Sequence, residues 1–225
     1  MSNGAPKRMP VDLRALGQTW GWKQALPGNI PAVEEVLERG EPIAIIQDAG
    51  RKSWFGTAGL IPSGPSINSE WPLDLSSYRA LIVISDRKLP QLPPELGRHT
   101  LVYRPPTLAL GVSCFRHLEM GHLAESVKLF FERAGLAEEC LTALAAPASR
   151  RNEASLIEFA EERAVPLLTY AADKLAIVPR KWPHARRMAG LCELSAKLAA
   201  GVLELAAPKQ VFQRLALAVA RRTWA

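Results

Sequence analysis

Two histidines five residues apart flank a glutamate in the run His117-Leu-Glu-Met-Gly-His122, a set of residue types that can hold zinc. A pair of metal ligands on one helix face needs a spacing near four, as in H-E-x-x-H, so a spacing of five points to a surface turn instead. The fragment His117-Leu-Glu119 also matches the H-x-E half of the zinc deaminases. Their P-C-x-x-C half, which supplies two further ligands, is missing. Cys114, Cys140 and Cys192 are odd in number, widely spaced and form no C-x-x-C, which argues against a disulfide framework or a zinc cluster and for buried free thiols. No metal site is expected. The sequence contains no G-x-G-x-x-G, no G-x-x-x-x-G-K-[ST] and no G-x-S-x-G, so it gives no support to nucleotide binding or to a serine-hydrolase elbow.

Charge narrows the field. The chain of 225 residues carries a formal net charge of +6, which favours an acidic partner: nucleic acid, anionic lipid or a polycarboxylate ligand. The stretch from Pro179 to Arg187 concentrates Arg180, Lys181, Trp182, His184, Arg186 and Arg187, and cations beside an aromatic ring are the means of gripping a single strand. No nucleic-acid fold signature accompanies it, so a solvated basic loop is the reading taken and no nucleic-acid partner is expected. No segment has the uninterrupted apolar length of a membrane span, and residues 1–16 mix Lys7, Arg8, Asp12 and Arg14 with two prolines where a secretory signal would be apolar. A cytoplasmic protein without membrane partners is expected.

The elements that must position any site follow from pattern. With 48% hydrophobic and 22% charged residues, the chain can bury one large core or two small ones. Residues 1–15 read as a flexible lead-in. Pro31 suits the first turn of an amphipathic helix whose stripe is Val33, Val36 and Leu37 and which Gly40 stops. A short buried strand follows over residues 42–47. Residues 48–78, rich in Gly, Pro and Ser and holding Trp54, Phe55 and Trp71, form a long irregular excursion. Residues 79–85 read as a second buried strand. Asp86, Arg87 and Lys88 stand just past its carboxyl end, where open α/β sheets hold ligands.

Arg104-Pro-Pro marks a boundary, and residues 107–113 start a new strand. A helix over 123–134 is closed by Gly135. A strand at 142–146, a helix over 153–163, a strand at 165–169, a short helix at 171–176, a helix over 191–200 and a final strand at 215–220 complete the pattern. Alternation of this kind implies a sheet layered between helices. The expected fold is therefore α/β throughout: a small central α/β unit at residues 16–105, then a three-layer α/β/α domain at 106–225 with a mostly parallel or mixed sheet.

The run Leu110-Gly-Val-Ser-Cys-Phe-Arg-His resembles the Gly-x-Gly-Cys-Arg-Arg-Gly signature that opens the C-terminal domain of the CbiG and CobE proteins of cobalamin biosynthesis. Further landmarks arrive in that family's order: Ala134-Gly-Leu, a turn ending in Glu153, residues 156–160 on a helix, Val165-Pro-Leu, Gly190-Leu-Cys-Glu193, Pro208-Lys209 and the terminal strand. Upstream, residues 16–22, Gly40-Glu-Pro-Ile-Ala-Ile-Ile-Gln, residues 80–87 and Tyr103-Arg-Pro-Pro resemble the CbiG central region. The family's usual N-terminal domain has no counterpart in these residues.

This resemblance implies a cobalt-precorrin-5A hydrolase, which opens a ring lactone and releases a two-carbon fragment as acetaldehyde to give cobalt-precorrin-5B. The partner is an anionic cobalt-corrinoid that brings its own metal, so no cofactor is expected of the protein. A separate N-terminal domain or other pathway enzymes are further expected partners. Lactone opening needs an activated water, a stabiliser for the oxyanion and a base for the carbon–carbon cleavage. Glu153 and Glu193 are the candidate bases, both near expected helix starts. Arg116, Arg150, Lys209 and Arg104 are the candidate cations for the substrate. A carboxylate favoured by the helix dipole is the competing account of both glutamates, and a solvated loop cation that of Lys209.

The chain departs from the family's pattern in one place. Where the family commonly has Gly, Arg, Gly and Thr, it has Ser113, Phe115, His117 and Leu118, and the acidic and lysine positions of the next turn are Ala148 and Arg150. Fewer glycines impair a backbone nest for an anion. An alternative reading follows: a divergent, non-catalytic subunit that binds a tetrapyrrole or a pathway partner.

Overall fold

The computed structural model describes residues 12–52, 54, 67–71, 74–175 and 184–223, with the side chains of residues 184–189 outside that description. The chain forms two compact units that divide between Pro106 and Thr107.

In the first unit β1 (Lys23–Gln24), α1 (Ile30–Glu38), β2 (Ile43–Gln47), β3 (Ile67–Asn68), β4 (Ala80–Ile84), α2 (Pro94–Gly97) and β5 (Thr100–Arg104) follow in order. The strands lie as β1-β5-β4-β2-β3, all parallel except β1. Alternate residues explain why the central strands read as unbroken apolar runs. Ile43, Ile45, Ile82, Ile84 and Leu101 pack with Ile30, Val33 and Val36 of α1, while Ala44, Ile46, Leu81 and Val83 pack with Leu96 on the opposite face. The expected helix and the two expected strands are present. β5 is an addition, because Thr, Tyr and Arg interrupt its apolar pattern although all five of its residues are buried. Two of its polar side chains are satisfied, since Thr100 Oγ1 donates to Leu96 O at 2.7 Å and Tyr103 OH to Leu13 O at 2.6 Å, while Arg104 Nε is buried without a hydrogen-bond partner among the described residues.

The second unit holds β6 (Leu108–Cys114), α3 (Met120–Ala134), β7 (Leu141–Pro147), α4 (Ala154–Glu162), β8 (Leu167–Tyr170), α5 (His184–Ala200), β9 (Ala207–Val211) and β10 (Leu215–Arg221). Its sheet runs β8-β7-β6-β10-β9. β8, β7 and β6 are parallel, and β10 is antiparallel to both of its neighbours. The sheet is thus mixed, with helices on both faces, within the α/β class expected. Two expectations are corrected. Residues 172–175 form a turn where a short helix is expected, and Ala176 lies outside the described residues. Lys209 sits within a strand, not a loop. Pro208 masks that strand in the sequence, since proline has no N–H for a ladder; β9 accommodates it at the edge of the sheet. Of the basic stretch 179–187, residues up to 183 lie outside the description and the backbone is helical from His184.

The two faces of this sheet are unequal. Leu108, Leu110 and Val112 of β6 and Leu215, Leu217 and Val219 of β10 meet Leu123, Val127, Phe130 and Phe131 of α3 and Leu156 and Phe159 of α4. Each such fully buried side chain contributes roughly 1.5–3 kcal/mol of hydrophobic stabilisation. The opposite face offers Ala109, Ala216, Ala218 and Ala220 to Cys192, Ala196 and Ala200 of α5. At its centre a Cβ on Gly111 would lie 1.9 Å from Cys192 O and 2.8 Å from Ala196 N. Only glycine fits there, because the obstructing atoms are main chain and cannot rotate away. Gly111→Ala is expected to destabilise the protein by about 3 kcal/mol, the upper part of the range for overpacking. Denaturant unfolding measures this, and an unchanged midpoint would contradict the packing described.

Candidate functional site

The parallel strands β6 and β7 end side by side at Cys114 and Pro147, and the turns that leave them carry the polar residues. A cavity of about 460 Å³ lies between those turns, lined by residues 116–118 on one side and by Ser149 and residues 152–154 on the other. It occupies the carboxyl edge of the sheet, the side on which α/β folds hold ligands.

Glu153 is the best-placed group in it. As N-cap of α4 it has extended backbone and accepts hydrogen bonds on its main-chain oxygen from Leu156 N and Ile157 N at 3.1 and 3.2 Å. Its side chain reaches across the cavity wall, where Oε1 accepts from Leu118 N at 3.0 Å. That bond fixes the carboxylate and leaves Oε2 without a hydrogen bond among the described residues. Arg116 and His117 are exposed and line the same space. His117 has φ +57°, the left-handed region that costs most residues energy but that histidine visits more readily than most. A glycine at this position would suit the same conformation without that cost.

Arg150, expected to hold substrate, is employed otherwise. Its Nε donates to Cys114 O at 2.7 Å and its Nη1 to Ser149 O at 3.1 Å, so its guanidinium ties the end of β6 to the turn after β7. Glu193 and Lys209 meet each other, through Lys209 N donating to Glu193 Oε1 at 3.5 Å. Neither lines the cavity, and this contact uses the main chain of Lys209 and not its ammonium group. Arg104 belongs to the first unit, where it is 7% exposed and its Nη1 donates to Ser85 O and Arg87 O at 2.9 and 2.5 Å. It fastens the loop after β4. Asp86 in that loop is buried, and Arg87 lies 3.4 Å from Asp48. The structure therefore brings Arg116, Arg150 and Glu153 together and places Glu193, Lys209 and Arg104 elsewhere. Ser149 and Asn152 join the cavity without having been anticipated. Asn152 immediately precedes Glu153 at a helix start, the one local signal that pointed to it.

Among the described residues no group of three or more His, Cys, Asp or Glu side chains is placed to hold a metal ion. No described helix is long and apolar enough to cross a membrane. Burial pushes the Cys114 thiol up to about 11, against a smaller opposing pull from Arg150, and pushes Cys192 up to about 12.

A family model described as cobalamin synthesis G C-terminus matches residues 108–220, just over half of the chain. The chain belongs to this family. Its membership covers the whole of the cavity and associates the chain with cobalamin biosynthesis. Cobalt-precorrin-5A hydrolase of Priestia megaterium is 24% identical to it over 178 residues, or 79% of this chain and 47% of the relative. The chain thus spans about half the length of that curated relative. Among solved structures, a cobalamin biosynthesis protein G homologue from Sulfolobus solfataricus aligns over 94% of this chain and 60% of its own, with 18% identity and a TM-score of 0.46. CobE, a protein of the cobalamin biosynthetic pathway, aligns over 52% of this chain and 91% of its own, with 24% identity and a TM-score of 0.44.

Two outcomes test the site of this CbiG-family domain. His117→Gly, relieving a left-handed residue, is expected to raise stability by up to about 1 kcal/mol, whereas His117→Val is expected to lower it by about 1–2 kcal/mol; paired thermal melts would read the difference, and equal values would contradict the turn geometry. The thiols give a pH dependence of definite sign. Their folded values lie above the ordinary thiol value of 9.0, so between pH 9 and about 11 the unfolded chain loses protons that the folded chain keeps. Stability is therefore full below pH 9 and falls as the pH rises through that window. Denaturant midpoints at pH 8 and pH 10.5 should differ in that direction, and less so in Cys192→Ala.

Proposed function

We propose that this chain acts in cobalamin biosynthesis as a cobalt-precorrin-5A hydrolase or as the part of one that carries the cavity between β6 and β7. The observation that supports the reading is Glu153: a carboxylate held by one oxygen at Leu118 N and lining a cavity that it shares with Arg116. In lactone opening, Glu153 takes a proton from water as the water oxygen attacks the lactone carbonyl carbon. Arg116 stabilises the oxyanion that develops. Collapse breaks the ring carbon–oxygen bond, and the departing oxygen takes up a proton to become a hydroxyl. Removal of that hydroxyl proton then forms the carbonyl of acetaldehyde as the carbon–carbon bond breaks. The electron pair passes to the macrocycle, which is protonated in turn. The substrate's carboxylates suit a chain of net charge +6.

A second reading, that of a tetrapyrrole-binding subunit without turnover, is favoured by one feature. The 113–118 turn has a serine and a histidine where the family commonly has glycine, and Arg150 is spent on main-chain carbonyls. The readings part in one assay. Anaerobic incubation with cobalt-precorrin-5A, alone and mixed with the N-terminal half of the family's longer members, is expected to release acetaldehyde. Glu153→Gln keeps the acceptor for Leu118 N but loses the base, and should lower the rate by about 10²–10⁴-fold. Tight corrinoid binding without release under either condition would favour the binding subunit.

A further inference from the structure

Arg214 lies 98 residues from Arg116 in sequence and meets it at the cavity wall. It sits in the tight turn between β9 and β10, which Phe212 N closes on Leu215 O at 2.8 Å. Its main-chain oxygen accepts from Phe115 N at 3.0 Å, continuing the β6–β10 pairing one step beyond Cys114. Its Nη2 donates to Arg116 O at 3.1 Å. The two bonds grip the chain on either side of Arg116.

We propose that Arg214 is a positioning residue for ligand binding, acting through Arg116 to present its guanidinium to a carboxylate of the corrinoid. The inference rests on the reading of the cavity given above. Arg116 C=O and His117 N–H belong to one peptide plane, and a rotation of that plane changes ψ of residue 116 and φ of residue 117 together. His117 is held at φ +57°, the less comfortable of the two orientations for a residue with a Cβ. A donor fixed on Arg116 O opposes the rotation that would release it. A turn of that plane taken up at ψ of residue 116 without compensation at residue 117 would swing Leu118 N, the donor to Glu153, relative to the Arg116 side chain, and the spacing of the two charged groups would change with it. Arg214 thus couples a hairpin at the far end of the sequence to both charged groups of the cavity.

The role is separable from a direct charge effect, because a residue acting through Arg116 has nothing to act on once Arg116 is gone. Calorimetric titration of the full chain uses dicyanocobyrinic acid, a corrinoid with free carboxylates, and dicyanocobinamide, in which amides replace them. Arg116→Ala is expected to weaken binding of the acid but not of the amide. Arg214→Ala should weaken binding of the acid by about 3- to 10-fold, the loss of one hydrogen bond's worth of positioning, with an unchanged circular dichroism spectrum. The double variant should bind as Arg116→Ala alone does. If Arg214→Ala binds like the parent, or if its loss persists in full without Arg116, the positioning role is overturned while the cavity reading stands. If Arg116→Ala or the parent shows no preference for the acid, the cavity reading is overturned and this inference with it.

Discussion

The close approach of α5 to β6 governs the second unit. With Cys192 O only 1.9 Å from where a Cβ on Gly111 would lie, helix and strand are in main-chain contact, and every neighbouring residue on that face must be small. Ala109, Ala216, Ala218 and Ala220 meet this demand. Large side chains are consequently consigned to the opposite face, where α3 and α4 supply the aromatic half of the core. The alternation of large and small along β6 and β10 follows from this one steric limit, and so does the register that brings Cys114 opposite Leu215. Since β6 cannot tilt or slide against α5 without a backbone clash, the point at which its carboxyl end delivers the 115–118 turn is fixed as well.

Polar groups at the strand ends do the complementary work. In the first unit Gln47, fully buried, donates to Ala49 O and Arg51 O and accepts from Trp54 Nε1 at 2.7 Å. Arg104 does the same for the loop after β4. A buried guanidinium or amide is costly to leave unpaired, so these loops are held by groups that have few alternatives. In the second unit Arg150 and Glu153, both in the segment that follows β7, play this part by holding Cys114 O and Leu118 N.

What the sequence reveals follows from the range of each interaction. Buried parallel strands, an amphipathic helix behind a first-turn proline and a helix closed by Gly135 are local patterns, and all were legible. β5 and β9 were not, because tertiary contacts satisfy the polar groups of the one and an edge position tolerates the proline of the other. Glu153 stood out beside an expected helix start, which is where it is found, whereas Glu193, expected at a helix start too, lies well inside α5. The parts of Arg104 and Arg150 were hidden, since a cation that binds a ligand and one that binds a carbonyl look alike in one dimension. Arg214 carried no local signal, and only the antiparallel return of β10 brings it to the site.

The 115–118 turn is fastened almost entirely by its own main-chain atoms: Cys114 O, Phe115 N, Arg116 O and Leu118 N each hold one bond to a neighbouring element. None of these bonds inspects the side chain of the residue that makes it. The turn is therefore tolerant of substitution: the residues that line the cavity can be exchanged while the cradle beneath keeps its form. Such a loop can adapt its chemical preferences quickly, and its departure from the glycine- and arginine-rich consensus is not by itself a sign of decay.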